Sequence, residues 1–177
     1  MTQSVLFATP DSDIAPATED AAIQPADARD RKDEEQQRGD IAEWLFCIAA
    51  RERGYRVRHL GGGCKGYDVI LERDGLRPMF VQVKHTLLRT NDGSRFYRIS
   101  NNVAGKTYDL SAYDILAVYM WDRGDWVFFT RSELGDRGST SYTPPELRMR
   151  QARSHACDNR APNNWELLDA LTASLCA

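Results

Sequence analysis

The sequence lacks several features that would define a membrane-bound or disulfide-stabilised protein. No uninterrupted apolar run approaches the roughly 20 residues that a membrane-spanning helix needs, so we expect no membrane span. The four cysteines (Cys47, Cys64, Cys157 and Cys176) lie far apart, and neither a Cys-x-x-Cys pair nor a zinc-finger spacing is present. The first ten residues also lack the basic start of a signal peptide. These absences predict a cytoplasmic protein with reduced thiols.

Lysine is scarce, and negative charge is only slightly in excess. The chain of 177 residues has 23 basic and 26 acidic residues, a formal net charge of −3, and only four of the basic residues are lysine. Residues 1–38 hold 9 acidic and 4 basic residues, whereas the remainder holds 17 acidic and 19 basic residues. The acidic beginning therefore hides a body with a charge of +2, which permits binding to a phosphate backbone without demonstrating it.

The composition divides the chain into a tail and one domain. Residues 1–26 are rich in alanine, aspartate, proline and threonine without periodicity, which predicts a disordered acidic leader. Residues 27–37 predict a wholly polar helical extension, so that 1–38 forms the first segment. We expect residues 39–177 to form a single domain, with a helical extension at its C-terminal end.

The body is predicted to begin with an amphipathic helix. Its apolar face has the spacing of one helical side: Ile41, Trp44, Leu45, Ile48 and Ala49. Glu43 lies on another side of the same helix, among further apolar residues. A partly buried carboxylate there would need a partner, and a solvated helix edge is the alternative.

Strands are predicted after this helix at residues 55–60, 67–72, 79–84, 96–100, 113–121 and 126–131, followed by short helices near 145 and at 163–171. A helix followed by several strands and then short helices predicts an α/β (α+β) fold around a mixed sheet.

The second and third predicted strands form a hairpin around the turn at residues 73–76. Gln82 and Lys84 share one face because side chains alternate along a strand. If the numbers of paired residues sum to an even value near 150, Asp68 faces Gln82, with Lys84 two residues beyond. A shift of one residue would separate them. Glu43 joins this cluster if its helix packs over the same sheet.

Such a cluster combines two carboxylates, a carboxamide oxygen and an ammonium group. Oxygen ligands suit Mg²⁺, which can activate a bound water and neutralise charge on a phosphate. Lys84 would position that water or stabilise developing negative charge. Each part has a role in phosphodiester hydrolysis. The alternative is that Asp68 ends a loop, Gln82 and Lys84 occupy an exposed strand face, and Glu43 is solvated.

These residues also resemble a known family. Glu43, then Tyr67-Asp68-Val69-Ile70, then Val81-Gln82-Val83-Lys84 are similar in order and spacing to the PD-(D/E)XK nuclease superfamily. The branches that they resemble most are the Holliday-junction-resolvase-like proteins and the group I intron homing endonucleases with glutamine in the motif. The resemblance extends from about residue 39 to residue 130.

The resemblance implies a restriction-endonuclease-like fold, with a central mixed β-sheet flanked by helices, and DNA cleavage that depends on Mg²⁺ or Mn²⁺. It also implies that Glu43, Asp68, Gln82 and Lys84 are catalytic and that Asp68, Gln82 and Glu43 hold the metal. Gln82 stands where the family usually has aspartate or glutamate, so it offers a neutral ligand oxygen. Cutting both strands would favour a homodimer or homotetramer.

Two further groups of residues are predicted to contact DNA. They are Lys65, Asn101 and Lys106 around the hairpin, and the basic stretch Arg148, Arg150 and Arg153. A solvated helix face is the alternative for the arginines.

Two other functions stay open at this point. One is a catalytically inactive DNA-binding or assembly module with the same fold, which Gln82 favours. The other is an interaction protein that uses the acidic residues 1–38 to bind a partner.

Overall fold

The computed structural model describes residues 25–61, 66–91, 93–100, 102–103, 106–107, 110–134, 139–147 and 161–174. Its helices are α1 (Pro25–Glu52), α2 (Arg131–Leu134) and α3 (Glu166–Ser174), and single 3-10 turns lie at Leu110–Ala112 and Pro145–Leu147. Its strands are β1 (Arg56–His59), β2 (Val69–Glu72), β3 (Met79–Thr86), β4 (Leu88–Asn91), β5 (Ser94–Ser100), β6 (Asn102–Val103), β7 (Lys106–Thr107), β8 (Ile115–Met120), β9 (Asp125–Thr130) and β10 (Ser139–Tyr142).

Helix α1 joins a polar half to an apolar half without a break. The segment predicted as a polar helical extension is its first part, so the boundary placed between residues 38 and 39 falls inside the helix. Side chains four residues apart support the polar half: Arg38 contacts Glu34 at 3.3 Å, and Gln36 donates to Asp40 at 2.8 Å. Most of the leader predicted at 1–26 lies outside the described residues.

A five-stranded sheet forms the centre of the molecule, in the order β1-β2-β3-β8-β9. Strands β3 and β8 are parallel, and the other pairs are antiparallel. The α+β prediction with a central mixed sheet is therefore confirmed. A second sheet, β10-β5-β4, includes two strands, β4 and β10, that were not predicted.

One face of the central sheet packs against α1 and α3. Alternate residues of β2, β3 and β8 point to this face, among them Val69, Val81 and Ile115, and all three are fully buried. From α1 they meet Phe46 and Cys47. The opposite face packs against the second sheet through a separate core that contains Tyr97, Tyr142, Leu116, Val118 and Phe129.

The predicted apolar face of α1 is partly wrong. Ile41, Trp44 and Ile48 are 47%, 52% and 51% exposed, and the buried side carries Phe46 together with the small residues Ala42, Cys47 and Ala50. The helix is apolar nearly all round between residues 41 and 50, so periodicity alone does not select the packed side. The small side chains on the packed side let the helix lie close to the sheet.

Candidate active site

The β2–β3 hairpin brings two of the predicted site residues opposite each other. Its pairs are Val69 with Val81, Ile70 with Phe80, and Leu71 with Met79, so each pair of numbers sums to 150. The register on which the predicted cluster depends is therefore the one observed. Continued by one residue, it places Asp68 beside Gln82 at the point where β2 begins.

Asp68 compensates for the early end of the β2 pairing. Strand β3 continues to Thr86, whereas its pairing with β2 stops at Val81, so the next backbone groups of β3 need other partners. The Val83 N–H donates to Asp68 Oδ2 at 2.8 Å, and Gln82 Nε2 donates to the same oxygen. These two bonds use about half of the lone-pair sites of a carboxylate.

The amide of Gln82 has a defined orientation. Its Nε2 also lies 3.3 Å from the carbonyl oxygen of Val83, and both partners of this nitrogen accept hydrogen bonds. The other end of the amide, Oε1, is therefore the end that can act as a ligand. Gln82 is buried (4% exposed), which restricts its side chain to few conformations.

The electrostatics of Asp68 link it to three neighbouring side chains. Burial raises the pKa of the Asp68 carboxyl to about 6, opposed by the hydrogen bond from Val83. The negative charge of Glu43 raises this pKa further, whereas the positive charges of Lys84 and His59 lower it. The carboxylate of Asp68 thus lies within the electrostatic field of both predicted partners, Glu43 and Lys84.

Glu43 reaches this region from the other side of the sheet. Its helix packs on the face lined by Val81 and Val83, not on the face of Gln82 and Lys84. The carboxylate nevertheless lines the same cleft as Asp68, where β3 extends beyond its pairing with β2. The structure therefore brings Glu43, Asp68, Gln82 and Lys84 to one cleft.

The sequence did not single out His59, which binds Glu43. His59 Nε2 lies 2.7 Å from Glu43 Oε2, and the two side chains are 16% and 17% exposed. The ring of His59 packs on Trp44, with 4.6 Å between ring centroids. The available signal was the antiparallel order of β1 and β2, because the end of β1 must lie beside the start of β2 and therefore beside Asp68.

The cleft that contains these residues has a volume of about 910 Å³ and carries cationic side chains on two walls. Arg31 and Lys32 come from the polar half of α1, and Arg89 and Arg98 come from β4 and β5. Acidic residues of α1 are interspersed, and His85 holds this half of the helix through a contact of 3.1 Å from its Nε2 to the Glu35 carbonyl oxygen.

Most of the predicted DNA contacts lie outside the described residues. These are Lys65, Asn101, Arg148, Arg150 and Arg153. Lys106 lies in β7, of which only the backbone is described.

The described ranges contain no group of three or more histidine, cysteine, aspartate or glutamate side chains arranged to hold a metal ion. Among the same residues, no helix has both the length and the apolar character required to cross a bilayer.

Comparison with known proteins identifies a shared fold. No protein-family model and no curated protein sequence matches the chain. Among solved structures, the chain is similar to a bacterial homing endonuclease, I-Ssp6803I, with a TM-score of 0.62 and 20% sequence identity. The similarity covers 78% of this chain and 95% of the endonuclease chain. The two proteins therefore share their fold.

Proposed function

We propose that the protein is a metal-dependent DNA endonuclease of the PD-(D/E)XK type. The observation that supports this most is that Asp68, Gln82 and Lys84 line one cleft with cationic walls. The fold shared with a homing endonuclease supports it independently. The proposed metal is Mg²⁺ or Mn²⁺, the proposed partner is DNA, and cutting both strands would favour a homodimer or homotetramer.

The residues of the site fit a divalent cation with oxygen ligands. Asp68 and Glu43 supply carboxylates, and the Oε1 of Gln82 supplies a neutral oxygen. A raised pKa means that the charged Asp68 is poorly compensated in the metal-free protein, and Glu43 adds to the repulsion. A cation between them would relieve both effects. Mg²⁺ needs only one or two carboxylates when waters and substrate phosphate complete its coordination, so a cluster of three acidic ligands is not required.

The roles of the protein side chains follow from their positions. The bound cation would activate a water for attack on phosphorus and neutralise charge on the phosphate oxygens. Asp68 is held by Val83 and Gln82, so its carboxylate is positioned before substrate arrives. Lys84 extends from the same face of β3 and is half-buried, which strengthens its interaction with an anionic transition state. Its proposed role is to stabilise developing charge or to position the attacking water.

The cationic walls give the DNA backbone a path to these residues. Arg31 and Lys32 on one side, and Arg89 and Arg98 on the other, are exposed and line the same cleft as Lys84. We propose that phosphates next to the scissile bond contact them. Arg89→Gln and Arg98→Gln should each weaken DNA binding. Each should also reduce the slope of the logarithm of the binding constant against the logarithm of salt concentration by about the amount that one phosphate contact contributes. Arg56→Gln is the matched control, because Arg56 is exposed and pairs with Asp74 outside the cleft.

Cleavage of supercoiled plasmid tests the proposal. The wild type should nick DNA with Mg²⁺ or Mn²⁺ and should be inactive with excess chelator. Lys84→Ala should lose at least about 100-fold in rate while it keeps its fold and its DNA affinity within a few fold. Branched, nicked and single-stranded DNA belong in the substrate panel, because the fold does not specify the DNA form. A wild type that is inactive on all of these DNA forms with both metals would refute the proposal.

A second candidate function is a DNA-binding or assembly module that has lost cleavage. Gln82 favours it, because a neutral amide stands at a motif position that is usually a carboxylate. DNA binding that survives Lys84→Ala, together with no cleavage by the wild type, would select this function. Gln82→Glu adds a third carboxylate to the site, and cleavage gained only in that variant would identify a degenerate nuclease.

A further inference from the structure

The Glu43 carboxylate has a specific partner that the proposed chemistry does not use. The side chain of Glu43 is only 17% exposed, so an unpaired charge there would be costly. His59 Nε2 lies 2.7 Å from its Oε2, at the end of β1 and one strand away from Asp68. The pair therefore connects the helix that supplies one acidic group to the hairpin that supplies the other.

The ring of His59 is itself held in place. Trp44 follows Glu43 on α1 and packs on the imidazole, with 4.6 Å between centroids and 47° between ring planes. Trp44 is 52% exposed, and the covered part of its ring includes the contact with His59. Glu43 and Trp44 are adjacent residues of α1, and both therefore contact His59.

We propose that His59 is a positioning residue, whose Nε2–H holds Glu43 Oε2 so that Oε1 of the same carboxylate can bind the cation in the cleft. This inference rests on the proposed function. Carboxylates that bind metals are generally fixed by such hydrogen bonds, and loss of the partner typically costs 10–100-fold in metal affinity or activity. The competing explanation is that the contact between His59 and Glu43 only stabilises the packing of α1 against β1.

Two substitutions separate the hydrogen bond from the packing. His59→Phe keeps a ring against Trp44 but removes the donor, whereas His59→Gln keeps an amide donor and removes the ring. If His59 positions Glu43, His59→Phe should raise the Mg²⁺ concentration for half-maximal cleavage about 10–100-fold, and His59→Gln should restore most of the loss. Arg58→Gln is the matched control, because Arg58 precedes His59, is exposed and pairs with Glu72.

A binding measurement without DNA gives a second readout. Mn²⁺ titrated into the protein alone, followed by electron paramagnetic resonance, should show weaker binding in His59→Phe than in the wild type or in Arg58→Gln. If the contact only stabilises the packing of α1, His59→Phe should lower the midpoint of urea unfolding without changing the affinity for Mn²⁺ or the Mg²⁺ concentration for half-maximal cleavage. That result would overturn the inference.

A double-mutant cycle tests whether His59 acts through Glu43. In a Glu43→Gln background, adding His59→Phe should change the metal dependence by less than about 2-fold, because the carboxylate that it positions is already absent. Independent effects that multiply would contradict the inference. A wild type that neither cleaves DNA nor binds Mn²⁺ would refute the proposed function and this inference together. Active wild type with an unchanged His59→Phe variant would refute this inference alone.

Discussion

Replacing Asp68 by asparagine should make the metal-free protein more stable while it abolishes cleavage. Burial raises the pKa of the Asp68 carboxyl from 3.8 to about 6, so the folded state binds its proton more tightly than the unfolded state does. The charged carboxylate therefore destabilises the fold at neutral pH. Since one pKa unit corresponds to about 1.4 kcal/mol, the upper limit of this cost is about 3 kcal/mol.

The measurable gain should be smaller than that limit. Asparagine keeps one oxygen that can accept from the Val83 N–H and from Gln82 Nε2, but these bonds lose their charge assistance. We expect Asp68→Asn to raise the free energy of unfolding by about 1–2 kcal/mol at about pH 8, which corresponds to roughly 2–8 °C in Tm for a chain of this size.

The pH dependence gives this prediction a definite sign. Below the pKa of Asp68 in the unfolded state, the protonated aspartic acid and the asparagine are both neutral. The gain in stability from the substitution is therefore absent at such pH values. It grows as pH rises from 3.8 to about 6 and is constant above that range. About half of the gain should therefore remain at about pH 5. Millimolar Mg²⁺ should stabilise the wild type more than the variant and so narrow the difference.

Urea unfolding at several pH values, with and without Mg²⁺, measures these changes. An Asp68→Asn variant that is no more stable than the wild type at about pH 8 would contradict the expected cost of the charged carboxylate. A stability difference that does not change between about pH 8 and pH 5 would contradict it too.

Three further predictions concern the pH dependence of cleavage, the packed side of α1 and the backbone of β3. At low Mg²⁺, cleavage should fall as pH drops below about 6, because protonated Asp68 does not bind the cation, and saturating Mg²⁺ should shift the midpoint of a pH–rate profile downward. Phe46→Ala should cost about 3–5 kcal/mol in urea unfolding because Phe46 is fully buried, whereas Ile48→Ala at a half-exposed position should cost less than about 1 kcal/mol. Asp114 Oδ2 accepts from the Phe80 N–H at 2.9 Å, so Asp114→Ala should cost about 1–3 kcal/mol in urea unfolding while the Mg²⁺ concentration for half-maximal cleavage stays unchanged.

The hairpin could be predicted from the sequence because two local rules agree there. A turn signal at residues 73–76 fixes the connection, and strand alternation then fixes which side chains share a face. Only an even sum of paired numbers puts Asp68 beside Gln82, and the observed sum is 150. The sequence therefore predicted that Gln82 and Lys84 share a face, whereas the place of Asp68 beside them depended on a register that only the structure supplies.

Long-range packing could not be predicted in the same way. The parallel pairing of Val81 with Ile115 joins distant segments, and no local pattern specifies it. Strands β4 and β10 are short and mostly polar, so they depend on their pairing with β5 rather than on their own sequence. The packed side of α1 is decided by how closely the helix approaches the sheet.

The contact between Glu43 and His59 is another long-range feature that no local sequence pattern specifies. The sequence presented Glu43 as a carboxylate without a partner, because the histidine lies 16 residues away on a strand. Only the order β1-β2-β3, together with the position of α1 over it, brings the two side chains together.

We propose that Asp68 and Gln82 hold a divalent cation beside Lys84, where a phosphate can reach it. Anomalous diffraction from crystals grown with Mn²⁺ and uncleaved DNA would locate that cation. We expect a peak within about 2.0–2.3 Å of oxygens of Asp68 and Gln82, with a DNA phosphate also bound to the ion. A peak elsewhere, or no peak while Asp68 keeps its bonds to Val83 and Gln82, would contradict it.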